Sequence, residues 1–122
     1  MLPLDGIIVL DMTQWIVGSA TAAALAEWGA EGVKVEHPEH GDPLRGVFAS
    51  GTVTVRSVNF YWDLVNRNKK SVALDIRHSL GREVVHRLVK QADVFISNIR
   101  PATLKRLGYD YETLSGLNPR LI

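Results

Sequence analysis

The sequence predicts an α/β fold: an open, mainly parallel sheet flanked by helices. Two observations carry this. Four short runs rich in branched apolar residues, "GIIVLD", "GVKVEH", "SVALDI" and "DVFISN", recur along the chain. Between them lie stretches of helical composition or period, so strands alternate with helices, the pattern that gives parallel sheets. With 122 residues the chain fits one domain, 1–122, with room for one hydrophobic core.

The elements follow in order. Gly6–Asp11 is a strand buried on both faces, since its apolar run is unbroken. "MTQWIVG" is a turn. Ser19–Gly29 is an Ala-rich helix with Ser19 as N-cap and Gly29 as its stop, its small side chains suited to close packing on a sheet. Gly32–His37 is the second strand. These pieces form a βαβ unit, for which a right-handed crossover is expected. Residues 38–55 read as a long irregular stretch headed by "PEHGDPLRG", and Val58–Asn66 as a short aromatic helix. "SVALDI" is the third strand. Next comes an amphipathic helix capped by Ser79, whose inward stripe is read as Leu80, Val84, Leu88 and Ala92. Asp93–Asn98 is the fourth strand. A helix follows with Pro101 in its first turn and Gly108 after its end, then one more short helix in "YDYETLSGLNPRLI". Leu121 and Ile122 look like the start of a further strand, so the sheet is expected to continue and the chain to be part of something longer.

Composition narrows the function. The net charge is +1, but residues 1–65 carry eight acids and three bases, and residues 66–122 carry five acids and eleven bases. The second half therefore prefers an anionic partner. No cysteine is present, which excludes a disulfide framework and a thiolate metal site. The N-terminus lacks the basic region and cleavage site of a signal peptide, and no apolar run approaches the roughly 20 residues that cross a bilayer. The expectation is a cytoplasmic protein with no membrane partner.

Candidate sites sit where strands end, because open parallel sheets bind ligands at the carboxyl ends of their strands. The first turn, "DMTQWIVGS", holds only Gly18 and is no dinucleotide fingerprint; spacing favours a plain tight turn with Trp15 buried. Glu36 and His37 end the second strand. Glu36 is placed to meet a ribose hydroxyl or to cap a backbone group; His37 is placed to stack on a base or donate to a phosphate. A metal site from His37, His40 and the acids around them is weakly supported, and a solvated polar loop fits better. In "NRNKKSVALDIR" a six-residue strand spans roughly 20 Å, so the cations at its two ends cannot share one phosphate. Arg77, at the carboxyl end, is the phosphate candidate, and Lys69 and Lys70 are read as facing water. Asn98 and Arg100 follow the fourth strand in the same way, with Lys105 and Arg106 on the next helix. G-x-S-x-G, Walker A and H-E-x-x-H are all absent, and Asp11, Asp42 and Asp63 cannot be paired from sequence.

Several stretches together resemble one family, the class III CoA-transferases, which includes the α-methylacyl-CoA racemases. They are "LPLDGIIVLDMTQ", "LAEWGAEGVKVEHPEHGDPLR", "NRNKKSVALDIR", "GREVVHRLVKQADVFISNIRPATLKRLGYDYETL" and "LNPRLI", which cover nearly the whole chain in order. The resemblance implies the N-terminal, Rossmann-like, coenzyme A-binding part of such a protein. Contacts to CoA would come from Trp15, Ile16 and Val17, from His37, from Leu74, Asp75, Ile76 and Arg77, from Asn98, Ile99 and Arg100, and from Arg106. Arg77, Arg100 and Arg106 would take the phosphates. His37 departs from the arginine common at that position, and Val17-Gly18-Ser19 departs from the usual Ala-Gly-Pro. The implied chemistry moves CoA between carboxylic acids through an aspartyl anhydride. The catalytic aspartate would lie beyond Ile122, so no catalytic residue and no complete reaction are expected in this chain. Acyl-CoA and carboxylic acids would be the substrates, no metal would be used, and the parent would be an interlocked homodimer or a hetero-oligomer. A racemase and a non-catalytic CoA- or nucleotide-binding module are the alternatives; a third, nucleic-acid binding by the basic half, is argued against by the net charge of only +1, and no nucleic-acid partner is expected. A steep salt dependence would mark the last.

Overall fold

The computed structural model describes residues 1–47 and 59–122. It contains strands β1 (Ile8–Met12), β2 (Glu31–Glu36), β3 (Lys69–Ala73) and β4 (Val94–Ser97). The α-helices are α1 (Val17–Glu27), α2 (Phe60–Asn66), α3 (Ser79–Val89), α4 (Pro101–Leu107) and α5 (Tyr111–Leu117), with a 3-10 turn at Pro43–Gly46. The last part of the irregular stretch read at 38–55, and Val58 at the head of the aromatic helix, lie outside the described residues. All strand pairs are parallel, in the order β3-β2-β1-β4. That order places a reversal of winding between β1 and β4, the position where open α/β sheets form a ligand crevice.

Strand alternation gives the sheet two different faces. Leu10, Met12 and Val35 point to one face and pack with Val85 and Val89 of α3, Tyr109, and Leu114 of α5. Val9 points to the other and packs with Ala22 of α1 and Ala30. The small side chains of α1 allow the close approach expected of them: Ala22 and Ala23 are fully buried. Gly29 stops α1 at φ 108° and Gly108 stops α4 at φ 79°, left-handed values that glycine adopts without cost from a Cβ.

Several boundaries differ from the sequence reading. Ser19 does not cap α1. The helix begins at Val17 with Ile16 as an N-cap that makes no side-chain bond, and Ser19 is buried beneath it. His78, not Ser79, caps α3 by accepting from the Leu80 N–H. The most buried stripe of α3 is Gly81, Val85 and Val89, one position on from that expected; Leu80 is 66% exposed, while Leu88 and Ala92 of the expected stripe do pack on the core. Gly81 explains the phase: a Cβ there would stand 2.0 Å from the Asp75 carbonyl oxygen, so only glycine lets this face approach the segment after β3. Strand β3 starts two residues before the expected run and ends at Ala73. At the outer edge of β4, Phe95 N donates to Ile122 O at 2.8 Å and Ile122 N to Asp93 O at 3.0 Å.

Candidate functional site: a cleft at the carboxyl ends of the strands

A cleft of about 370 Å³ opens where β1, β2 and β3 end and α4 begins. Met12, Val35, Leu74, Ile76, Ile99 and Leu107 give it an apolar lining. Thr13, Gln14, Glu36, His37, His40, Arg77 and Thr103 supply the polar groups. This mixture of apolar wall and a few convergent polar groups suits a small-molecule ligand.

The rim sets Arg77 against His37. His37 and His40 stack with ring centroids 4.8 Å apart and planes 6° from parallel. His37 Nδ1 accepts from the Glu39 N–H at 3.2 Å. A neutral imidazole has one accepting nitrogen, so the proton then sits on Nε2. That Nε2 lies 3.3 Å from Arg77 Nη2, which is also a donor. In this tautomer both nitrogens are donors and an anionic oxygen against the rim would accept from each; in the other tautomer Nε2 accepts from Arg77. Arg77 is held from below. Its backbone N–H donates to Asp75 Oδ1 at 2.9 Å and its Nε to the same oxygen at 3.4 Å. The backbone bond is the main cause of the lowered Asp75 pKa.

Beneath the cleft the sheet carries buried charge. Lys34 Nζ, 1% exposed, donates to Thr13 O at 2.9 Å and Ser19 Oγ at 3.0 Å, and lies 3.0 Å from Asp42 Oδ2 and 3.7 Å from Asp11 Oδ2. Lys69 Nζ donates to Asp11 Oδ2 at 2.8 Å, Ser19 O at 2.7 Å, Val65 O at 2.8 Å and Asn66 Oδ1 at 3.1 Å. Burial pushes the Lys69 pKa below the usual lysine value, against the pull of Asp11. Gly32 makes room for this side chain: a Cβ there would stand 3.1 Å from Lys69 Cγ. Glu36 accepts from Arg45 Nε at 2.7 Å, Arg45 Nη2 at 2.8 Å, Ser71 Oγ at 2.7 Å and the Asp42 N–H at 3.1 Å. Burial works against its charge, but the bonds from Arg45, Ser71 and the Asp42 amide outweigh it and bring its pKa down to about 2. Arg45 also stacks over the Trp62 ring, 3.5 Å from its centroid.

The predicted site residues divide. His37, Leu74, Ile76, Arg77 and Ile99 line the cleft, and Asp75 braces Arg77. Trp15, Ile16 and Val17 do not line it; they stand exposed on the first turn at 50%, 44% and 81%, so Trp15 is not the buried turn residue that spacing favoured. Asn98 ties that turn to β4, its Oδ1 accepting from Gln14 N at 3.0 Å and its Nδ2 donating to Gln14 O at 2.7 Å. Arg100, just before α4, and Arg106 are exposed and do not line the cleft; within α4 it is Thr103 and Leu107 that turn inward. Glu36 is engaged by Arg45 and Ser71, which removes the ribose reading in favour of its capping alternative. Lys69 does not face water: its side chain is 2% exposed. Among the described residues no group of three or more His, Asp or Glu is placed to hold a metal ion.

Sequence reasoning missed Lys34, Asp42 and Thr13. A signal for the first was available: a lysine inside "GVKVE", an otherwise apolar strand, must find buried partners. Asp42 stands directly before Pro43, the N-cap arrangement of a short helical turn.

The chain matches CoA-transferase family III over residues 4–122. It is 43% identical, over 99% of its length, to the succinyl-CoA–L-malate CoA-transferase beta subunit of Chloroflexus aurantiacus, and covers 29% of that protein. It is 37% identical, over 98% of its length, to the acetyl-CoA:oxalate CoA-transferase of Acetobacter aceti, and covers 30% of it. Among solved structures, a CAIB/BAIF family protein from Brucella suis superposes with a TM-score of 0.87 at 38% identity, covering 99% of this chain and 32% of that one. The chain thus spans under a third of these relatives. With nearly every residue matched and the order of elements shared, the chain belongs to CoA-transferase family III.

Proposed function

We infer that this chain is the CoA-binding, Rossmann-like portion, residues 1–122, of an enzyme that moves CoA between carboxylic acids. The observation that carries the reading is an exposed guanidinium, Arg77, beside His37 at 3.3 Å on the rim of an apolar cleft at the carboxyl ends of the strands. A phosphate oxygen of the carrier fits against them, and the apolar wall suits its less polar parts. The names of the curated relatives support a transferase over a racemase. The reaction would proceed by nucleophilic catalysis. An enzyme carboxylate attacks the acyl-CoA carbonyl and releases CoA thiolate, forming a mixed anhydride. The thiolate then attacks the enzyme's carbonyl carbon, giving an enzyme thioester and the free acid. The acceptor carboxylate opens that thioester to a second anhydride, and the thiolate takes the new acyl group. Asp11, Glu36 and Asp42 are occupied in ion pairs, and no residue of this chain is assigned the nucleophilic role.

The carriers would be CoA thioesters and carboxylic acids, with assembly into a dimer or with a second subunit and a cytoplasmic location. Among the described residues no helix is long and apolar enough to cross a membrane. The test is calorimetry on the full-length protein with CoA, dephospho-CoA and pantetheine. CoA binding that weakens about tenfold in Arg77→Ala, with pantetheine binding unchanged, is the expected result. Equal CoA affinity in wild type and Arg77→Ala would remove the phosphate from this rim.

A further inference from the structure

The cleft has two lips from segments far apart in sequence. Thr13 and Gln14 form one, and His40, Gly41 and Pro43 the other. A single buried carboxylate touches both. Asp42, 2% exposed, accepts at Oδ1 from the Trp15 N–H at 3.1 Å and the Leu44 N–H at 2.9 Å. Its own N–H donates to Glu36 Oε2 at 3.1 Å, which fixes the second lip to the end of β2. Its Oδ2 makes no hydrogen bond and instead lies 3.0 Å from Lys34 Nζ. Lys34 in turn donates to Thr13 O, back on the first lip. Trp15 is held at φ 66°, a left-handed backbone that bulky residues avoid, and its N–H is the one that Asp42 receives. The two acceptor bonds and the ion pair have different jobs. The bonds at Oδ1 fix backbone on both lips, and the ion pair at Oδ2 offsets the cost of burying the carboxylate that makes them.

We propose that Asp42 is a positioning residue that latches the β1–α1 turn to the 40–45 segment, and so sets the width of the cleft for its ligand. This rests on the CoA reading of the cleft. It assigns Asp42 no contact with the carrier and no part in bond making.

The experiment combines calorimetry with CoA and hydrogen exchange on the full-length protein. In Asp42→Ala the lips lose the carboxylate that joins the Trp15 and Leu44 amides, while the amide bond of residue 42 to Glu36 remains. Peptides covering 13–17 and 39–46 should exchange at least tenfold faster, those covering β1 and α3 should be unchanged, and the CoA dissociation constant should rise about tenfold. Asp42→Asn keeps an acceptor oxygen but loses the charge beside Lys34. It should keep both lips protected and bind CoA within about threefold of wild type while melting at a lower temperature. Unchanged exchange at either lip in Asp42→Ala overturns the latch, as does faster exchange across the whole sheet or an unchanged CoA affinity. If Asp42→Ala does not fold, Asp42→Asn decides: opened lips or a tenfold loss of affinity overturn the proposal. If wild type itself fails to bind CoA, the ligand reading falls, and the exchange arm still tests the latch by itself.

Discussion

Two cationic centres flank the same strand and have opposite characters. At the start of β3, Lys69 meets four oxygen acceptors and is closed off from solvent. Just past its end, Arg77 is 68% exposed at the side chain and turns Nη2 toward His37. The first centre is saturated by the fold and the second is open to solvent. Charge count cannot separate them, since both come from one basic stretch. Burial can, because a buried ammonium must be satisfied by the fold, whereas an exposed rim guanidinium keeps donors that water holds and a ligand can take over. Saturation marks a part of the scaffold and exposure marks a place for a ligand.

The largest effect should come from breaking the saturated centre. Lys69→Met leaves Asp11 buried without its nearest counter-charge, and removing one partner of a buried ion pair costs about 3–5 kcal/mol. Urea unfolding of the full-length protein measures it. A loss under about 1 kcal/mol would show that Lys34, 3.7 Å from the same carboxylate, suffices.

Glu36→Gln should follow, at about 2 kcal/mol near neutral pH, because it removes the charge that receives Arg45, Ser71 and the Asp42 amide. The sign of its pH dependence is fixed. The Glu36 pKa falls from 4.5 unfolded to about 2 folded, so its stabilisation is complete above about 4.5 and is lost as pH falls toward 2. Glutamine cannot titrate, so the gap between wild type and Glu36→Gln should close over that interval. A gap that stays constant from pH 5 to pH 2.5 would mean that the carboxylate is not ion-paired in solution.

What could be read from the sequence follows the same division. Strand and helix order was legible because branched runs and small-residue helices leave little choice of element. The ligand-side ends of β2 and β3 were legible because chain direction in a parallel sheet fixes which end is which, and this placed His37 and Arg77 beside the cleft. Helix phase was not. Leu80-Val84-Leu88 and Gly81-Val85-Val89 are neighbouring stripes with the same period, and the choice was made by a glycine contact with Asp75, distant from any pattern. That Arg106 does not line the cleft has the same origin, as the inward phase of α4 belongs to Thr103 and Leu107. The fate of Lys69 depended on Gly32, its register partner across the sheet, which no local window contains.

Arg77→Ala sharpens the contrast from the open side. The backbone N–H that anchors Asp75 survives the substitution, and the side chain is mostly in water. Stability should therefore stay within about 0.5 kcal/mol of wild type, while the tenfold drop in CoA affinity corresponds to about 1.4 kcal/mol. Lys69→Met and Arg77→Ala then form a crossed pair, one losing stability and the other losing ligand. A stability loss of 2 kcal/mol in Arg77→Ala would place Arg77 in the scaffold and remove the distinction.

The smallest effect belongs to the residue next to Lys69. Successive side chains of a strand point to opposite faces, so Lys70 leaves the sheet where Lys69 enters it. Its ammonium lies 2.7 Å from Glu31 Oε1, but the side chains are 72% and 49% exposed. An exposed pair of this kind contributes under about 1 kcal/mol and is screened by salt. Lys70→Ala should change the urea midpoint hardly at all in 0.5 M salt and by a few tenths of a kcal/mol at low ionic strength. Because Lys69 and Lys70 are chemically identical and adjacent, a loss in Lys70→Ala comparable to that of Lys69→Met would mean that burial and acceptor count do not control the energetics of these cations, and the contrast between the two centres would rest on nothing.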